Sequence, residues 1–227
     1  GRGVLVRADF NVPLENGQWG VIFGNGYGGR RSDPSLYVLN AMTGAVIAKL
    51  TANDGQPARA GGVLSGLLCE LRNLLNLGTC AAQPTSPYNG LGQVTAIDRS
   101  GNGRVDTIYG GDLQGNLWKF DLSSASAASW AVANGGNPLF TAELPSGERQ
   151  PITGGMRVTA GPGTGVMVYF GTGRYLFGGP NGDNNVPQNP TVQSLYAVFD
   201  NNTRVANGRS DLQVQTITGS TDSGGNT

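Results

Sequence analysis

One local pattern occurs three times in the sequence, and this repetition limits the possible folds more than any other feature. Each copy has an apolar stretch ending in an aromatic residue and glycine, a glycine-rich turn, and a second apolar stretch ending in Asn or Asp. The copies, roughly 60 to 85 residues apart, are WGVIFGNGYGG…SLYVLNAMTG, DTIYGGDLQGNLWKFDLSS and VMVYFGTGRYLFGG…QSLYAVFDNN. Strand-turn-strand units at such intervals predict the blades of an all-β propeller, stretched by insertions.

The repeat also predicts how much of a domain the chain contains. Three units are fewer than the four to eight blades of a closed propeller, so we expect part of the domain to lie outside this chain. We interpret 1–227 as part of a single β-propeller domain. Within it, 1–16 is a leading strand and 218–227 is a flexible tail rich in Gly and Ser.

Composition excludes several classes of function. The chain has 15 basic and 15 acidic residues and no Lys/Arg run, so a phosphate-tracking nucleic-acid surface is not expected. It has no histidine, which excludes histidine-based catalytic triads and most transition-metal sites. The sequence contains no run of 18 apolar residues, and therefore predicts no membrane-spanning segment.

The longest interruption between the units lies at 61–78. Its leucines follow helical spacing, which predicts a short amphipathic helix packed on the propeller. Cys69 lies within this stretch and Cys80 lies just after it. The two cysteines are either ordinary buried thiols or a local disulfide of the kind found in exported proteins.

Small oxygen-bearing side chains occupy alternate positions in DRSGNGRVD, residues 98–106. Gly101 and Gly103 allow the backbone to turn sharply there. Such a loop aims several oxygens at one point, and a flexible set of oxygen ligands suits Ca²⁺ better than Mg²⁺. The predicted ligands are Asp98, Ser100, Asn102, Asp106 and the backbone carbonyl of Arg104. The alternative is a turn rich in Asx residues that holds no metal.

An ordered set of motifs resembles a known protein family. The set is GQWGVIFGNGY, LYVLNAMTGAVIAKL, DRSGNGRVDTIYGGDLQGNLWKFDL, RQPITGGMRVT, VMVYFGTGRYL and QSLYAVFD, and it covers residues 17 to 200. These motifs resemble the C-terminal β-propeller domain of the PilY/PilC type IV pilus tip-associated proteins. The resemblance implies a propeller related to quinoprotein folds, in an exported protein at the pilus tip, outer membrane or cell surface of a Gram-negative bacterium.

The resemblance also implies roles and a ligand. Pilus assembly and adhesion are the expected roles, with pilus components and a host-surface receptor as partners. In this family a calcium loop is linked to control of pilus extension and retraction. The family's loop has the pattern Asp-x-Asp-x-Asp-x-x-x-Asp. Asp98 and Asp106 match this pattern, whereas Ser100 and Asn102 replace two carboxylates, so we expect weaker calcium binding.

Two enzyme alternatives start from shorter similarities. Residues 3–18 are similar to the N-terminal strand of phosphoglycerate kinase, with Arg7, Asp9 and Asn11 at the substrate-binding positions, but the kinase's nucleotide loops are missing from the sequence. LYVLNAMTGAVIAKL is similar to repeats of quinone-dependent dehydrogenases, but the adjacent cysteines often found there are also missing. We therefore expect a binding module and not an enzyme. The other acidic residues are interpreted as turn and strand-end residues, namely Asp112, Asp121, Asp183 and Asp200.

Overall fold

The computed structural model describes residues 9–27, 33–53, 89–173 and 192–215. The predicted helix at 61–78, both cysteines, the tail at 218–227, Arg7 and Asp183 lie outside these residues. Within the described ranges there is no α-helix, and three 3₁₀ helices cover Ala127–Ser129, Asn134–Gly136 and Gly208–Asp211. Among the described residues, none of the helices could span a lipid bilayer.

Twelve strands lie in the described residues, and they form three antiparallel sheets. The first sheet contains β1 (Asp9–Pro13), β2 (Trp19–Gly24), β3 (Ser35–Asn40) and β4 (Val46–Thr51), paired in that order. The second contains β5 (Leu91–Ile97), β6 (Thr107–Asp112), β7 (Asn116–Asp121), β8 (Ala131–Val132) and β9 (Phe140–Thr141), with both β8 and β9 on β7. The third contains β10 (Arg157–Ala160), β11 (Val166–Gly171) and β12 (Leu195–Asp200).

Each sequence repeat is an antiparallel strand pair in one of these sheets. A glycine of the first strand pairs with a leucine of the second in all three, as Gly24 with Leu36, Gly111 with Leu117 and Gly171 with Leu195. In the sequence, the dipeptide Tyr109-Gly110 matches Phe23-Gly24 and Phe170-Gly171. In the structure the second unit is offset from this match by one residue, because Gly111 and not Gly110 pairs with the leucine. Consequently Tyr109 pairs with Lys119, whereas the equivalent aromatic residues in the other sheets pair with tyrosines.

A polar side chain stabilises the same point of each unit. It belongs to the residue after the paired glycine, and it accepts a hydrogen bond from the backbone amide that precedes the leucine. The pairs are Asn25 Oδ1 with the amide of Ser35 (3.1 Å), Asp112 Oδ1 with Asn116 (2.9 Å) and Thr172 Oγ1 with Ser194 (2.8 Å). The three sheets therefore share a local hydrogen-bonding device as well as a strand pattern.

The second sheet lies between the other two. Ile108 and Phe120 pack with Ile22 and Leu36 of the first sheet, and other side chains of β6 and β7 pack with Val168 and Tyr196 of the third. All six residues of β6 are consequently buried. Trp19 on the first sheet and Leu195 on the third are 53% and 78% exposed, because the outer faces of these sheets have no such neighbour among the described residues.

Candidate functional site

The loop at 98–106 joins β5 to β6 and folds around the carboxylate of Asp98. The backbone amides of Gly101 and Gly103 each donate to this carboxylate at 2.6 Å, and the amide of Asn102 donates at 3.1 Å. Gly101 and Gly103 have φ angles of +76° and +83°, a conformation that favours glycine. Loss of solvation raises the pKa of Asp98, but these amide hydrogen bonds outweigh it and hold the pKa below its ordinary value.

Asp106 closes the other end of the loop. It is almost fully buried, and its two carboxylate oxygens accept the backbone amides of Arg99 (3.1 Å) and Ser100 (2.8 Å). The Ser100 hydroxyl donates to Asp98 Oδ1 at 3.2 Å, and Asn102 Oδ1 accepts the amide of Arg104 at 2.8 Å. The four predicted side-chain ligands are thus all part of one hydrogen-bonded loop.

The loop supplies oxygen donors of the type that Ca²⁺ prefers. A carboxylate oxygen can accept two hydrogen bonds, and Asp98 Oδ2 and both oxygens of Asp106 each accept one from a backbone amide. In the part of the chain that the structure describes, each of these three oxygens therefore retains acceptor capacity. Within the described residues there is no group of three or more acidic, histidine or cysteine side chains placed to hold a metal. The chemistry of the loop fits a hard cation held by two carboxylates and neutral oxygens.

The loop also contacts the first sheet. Asn102 Nδ2 donates to Glu15 Oε1 at 2.7 Å, and Arg104 Nη1 donates to the Glu15 carbonyl at 3.2 Å. The amide of Val105 donates to the carbonyl of Pro13, the last residue of β1, at 2.8 Å. Arg104 is a predicted ligand through its backbone carbonyl, and its side chain separately ties the loop to the first sheet.

A second set of contacts joins the loop to the third sheet through Arg99. Its guanidinium donates to Asp200 Oδ2 at 3.1 Å and to the carbonyl of Asp200 at 3.2 Å. The same group donates to the carbonyl of Thr164, in the turn between β10 and β11, at 3.2 Å. The loop of the second sheet is therefore hydrogen-bonded to both neighbouring sheets.

Asp200 is the centre of a buried polar network. Lys119 Nζ lies 2.7 Å from Asp200 Oδ2, so this carboxylate is shared between Lys119 and Arg99. The Tyr109 hydroxyl donates to the same oxygen at 2.5 Å, and the amide of Asn202 donates to the other oxygen at 2.8 Å. Burial raises the pKa of Asp200, but the hydrogen bonds from Lys119, Tyr109 and Asn202 and the charge of Lys119 outweigh it and hold the pKa below its ordinary value.

A polar cleft of about 550 Å³ opens beside the loop. Its walls include the loop residues Arg99, Ser100 and Asp106, and also Lys119, Asp121 and Asn134. The Nδ2 atom of Asn134 is buried and has no hydrogen-bond partner within the described part of the chain. The cleft exposes part of the loop to a ligand or partner.

Sequence reasoning missed Glu15, Arg99 and Asp200. Asp200 ends the third repeat as Asp121 ends the second, but Asp200 lies five positions after the glycine-paired Leu195, whereas Asp121 lies four positions after Leu117. The two carboxylates therefore lie on opposite faces of their strands, and Asp200 is fully buried whereas Asp121 is exposed. Lys119 did have a signal, because it is a cation inside the otherwise apolar run from Leu117 to Phe120. A lone cation in such a strand predicts a buried acidic partner.

Comparison with known proteins identifies the family. A family model described as the PilY1 beta-propeller domain matches residues 82–223, which include the loop, the second sheet and the third sheet. The chain belongs to the PilY1 family. A PilY1 homolog of Xylella fastidiosa, described as a type IV pilus biogenesis factor, is 38% identical over 220 residues. PilY1 of Pseudomonas aeruginosa strain PAO1, described in the same way, is 31% identical over 230 residues.

The PilY1 relatives are much longer than this chain. The alignments cover 95% and 90% of the chain but 13% and 17% of the Xylella and Pseudomonas proteins. The crystal structure of the Pseudomonas aeruginosa PilY1 C-terminal domain matches 88% of this chain and 37% of that one, with 29% identity and a TM-score of 0.66. The predicted family and β-propeller fold are confirmed, and the three sheets described here do not close into a ring.

Proposed function

We propose that this chain is a calcium-responsive structural and interaction module of a type IV pilus biogenesis and adhesion protein. Membership of the PilY1 family supports the pilus role, since the relatives are described as pilus biogenesis factors. In this proposal the module acts by binding and not by turnover. It belongs to an exported protein at the pilus tip, outer membrane or cell surface, where its partners are pilus components and a host-surface receptor.

The position of the loop between the sheets supports the calcium part of the proposal. The loop at 98–106 is hydrogen-bonded to Glu15 beside the first sheet and to Asp200 at the end of the third. A change in the order of this loop therefore acts on the contacts between three sheets. Such a position suits a regulatory ligand, because a weakly bound cation there can alter a surface larger than its own site.

Asp98, Ser100, Asn102, Asp106 and the carbonyl of Arg104 would hold the ion. When bound, Ca²⁺ supplies a positive charge that offsets the repulsion between two carboxylates. The chain itself holds Asp98 and Asp106 in place through backbone amides, and Glu15 restrains Asn102 from outside the loop. With two formal charges, the Kd is expected on the order of 10⁻⁴ to 10⁻³ M, as in extracellular calcium modules.

Calorimetric titration with Ca²⁺ tests the loop. We expect Asp98→Ala and Asp106→Ala each to abolish binding, because each removes half of the formal charge. Ser100→Asp should tighten binding, because it adds a third carboxylate at a position where the family pattern has one. Glu148→Gln is the matched control, since this exposed carboxylate lies outside both the loop and the cleft and its loss should leave the Kd unchanged.

The Ser100→Asp variant distinguishes a weak calcium site from a loop that binds no calcium. Calcium should raise the melting temperature of Ser100→Asp at lower concentrations than it does for the wild type, by mass action. Binding by Ser100→Asp without binding by the wild type at several millimolar calcium would identify a decayed site and end the proposal of calcium control. Absence of binding by both would leave the loop as a turn.

A further inference from the structure

Arg99 has contacts that join two separate parts of the molecule. Its backbone amide donates to Asp106 Oδ1 inside the loop, and its guanidinium donates to Asp200 and to the Thr164 carbonyl on the third sheet. Asp200 lies 101 residues further along the chain. A single residue is thus anchored by its main chain to a predicted calcium ligand and by its side chain to a neighbouring sheet.

We propose that Arg99 is the positioning residue through which the calcium loop and the third sheet act on one another. The inference rests on the proposed function, because it assigns the regulation of the same loop. Ordering of Asp106 fixes the main chain at Arg99, and this in turn places the guanidinium on Asp200 and Thr164. Calcium binding then tightens the contact between the second and third sheets.

The geometry of the guanidinium makes this contact directional. It meets a carboxylate oxygen and two backbone carbonyl oxygens, which requires several N–H donors in a fixed planar arrangement. The ammonium of a lysine is a point charge and cannot reproduce all three contacts. The Arg99 side chain is 14% exposed and Asp200 is fully buried, so water competes little for the pair.

Lys119 keeps the second and third sheets in contact when Arg99 moves. It also contacts Asp200 Oδ2, and it donates to Asn202 Oδ1 at 2.8 Å. Lys119 belongs to β7 and, within the described residues, makes no hydrogen bond or ion pair with the loop, so it keeps the Asp200 carboxylate paired whatever the state of the loop. Arg99 can therefore couple the two regions without being required for folding.

The coupling must act in both directions. If calcium strengthens the contact of Arg99 with the third sheet, then that contact must strengthen calcium binding by the same factor. A coupling at the lower end of the usual range corresponds to about a fivefold change in Kd. Loss of the Arg99 side chain should therefore weaken calcium binding even though it removes no ligand.

Hydrogen exchange with and without saturating Ca²⁺ tests the proposal. The reporter amides are those of Gly165 and Asn202, which lie beside the Thr164 and Asp200 contacts. In the wild type, calcium should slow their exchange about fivefold, the same factor as the coupling. In Arg99→Gln and Arg99→Lys, the Kd should rise about fivefold and calcium should no longer slow exchange at either amide.

Arg204→Gln is the matched control. Arg204 Nε donates to the Pro138 carbonyl at 3.0 Å, so it also joins the chain after β12 to the second-sheet region, but it has no contact with the loop. This variant should retain both the wild-type Kd and the calcium-dependent protection. A purely structural role for Arg99 predicts faster exchange in Arg99→Gln with and without calcium, and an unchanged Kd.

The outcomes separate this inference from the proposed function. Calcium-dependent protection of Gly165 and Asn202 that persists in Arg99→Gln would overturn the role of Arg99 while leaving the calcium site intact. A wild type that binds no calcium would overturn the proposed function. In that case the comparison is repeated in the Ser100→Asp background, where failure of Arg99→Gln to change either the Kd or the protection overturns the inference as well.

Discussion

Asp112 and Asp200 are both fully buried carboxylates at the ends of strands, but the protein stabilises them in opposite ways. Asp112 accepts five hydrogen bonds, from the side chains of Asn89, Asn116 and Trp118 and from two backbone amides, and none of these donors is charged. Asp200 is shared between two cations and a tyrosine hydroxyl.

The pKa shifts of the two groups follow from their partners. Burial raises the pKa of Asp112, and its neutral donors do not compensate. Burial also raises the pKa of Asp200, but there the hydrogen bonds and the charge of Lys119 dominate and the pKa is lowered. A set of neutral donors suits a turn within one sheet. A charged network suits a junction between sheets, because oppositely charged groups from separate elements attract one another there.

Replacement of Asp112 should have the largest effect on stability. Asp112→Ala leaves five donors without their acceptor, four of them buried, and each unsatisfied buried donor costs about 1 to 3 kcal/mol before relaxation, so we expect a loss of about 4 kcal/mol. Urea denaturation measures this loss. Thr172→Ala is the control at the equivalent position of the third sheet, and with a more exposed site it should cost about 1 kcal/mol. Equal losses of unfolding free energy in the two variants would contradict a larger role for the buried carboxylate of Asp112.

Replacement of Asp200 should have the next largest effect. Asp200→Asn leaves Arg99 and Lys119 without their shared negative charge, which should cost about 3 kcal/mol in the free energy of unfolding. Asp121→Asn, at the exposed strand end of the second sheet, should change stability by less than about 0.5 kcal/mol. Adding Arg99→Gln to Asp200→Asn should cost less than the sum of the single changes, because one unpaired charge is removed. Additive losses would mean that the two residues are not coupled.

Asp112 and Asp200 should also make the free energy of unfolding depend on pH, with opposite signs. This effect should be smaller than the effects of the two replacements. The ordinary pKa of both groups is 3.8. Because the folded pKa of Asp200 is lowered, its contribution is present above pH 3.8 and is lost as the pH falls through the folded value. Because the folded pKa of Asp112 is raised, the native state binds the proton more tightly, and stability falls as the pH rises from 3.8 through the folded value.

Unfolding free energies of the wild type, Asp112→Asn and Asp200→Asn across this range measure both signs. Between neutral pH and pH 3.8, the wild type should gain stability relative to Asp112→Asn as the pH falls. Below pH 3.8, the wild type should lose stability relative to Asp200→Asn. Parallel curves for the wild type and either variant would show that the corresponding carboxyl does not titrate differently on folding.

The local features of the protein could be predicted from its sequence. The three strand pairs, the glycine-rich turns and the membership of Asp98, Ser100, Asn102 and Asp106 in one loop depend on residues close together in the chain. Residues 98–106 fold around Asp98 because glycine at 101 and 103 permits positive φ and because amides a few positions away reach its carboxylate. Such contacts have short spacing, so their pattern is visible without the fold.

Tertiary structure decided which partners the strand-end carboxylate of Asp200 meets. Asp200 lies one position further from its glycine-paired leucine than Asp121 does, so its side chain is on the opposite face of the strand, where it meets Arg99 and Lys119 across the seam between two sheets. The separation of 101 residues between Arg99 and Asp200 leaves no local periodicity that could reveal the contact. The stacking of the sheets brings these charges together, and burial then makes their pairing strong, because water is excluded from around Asp200.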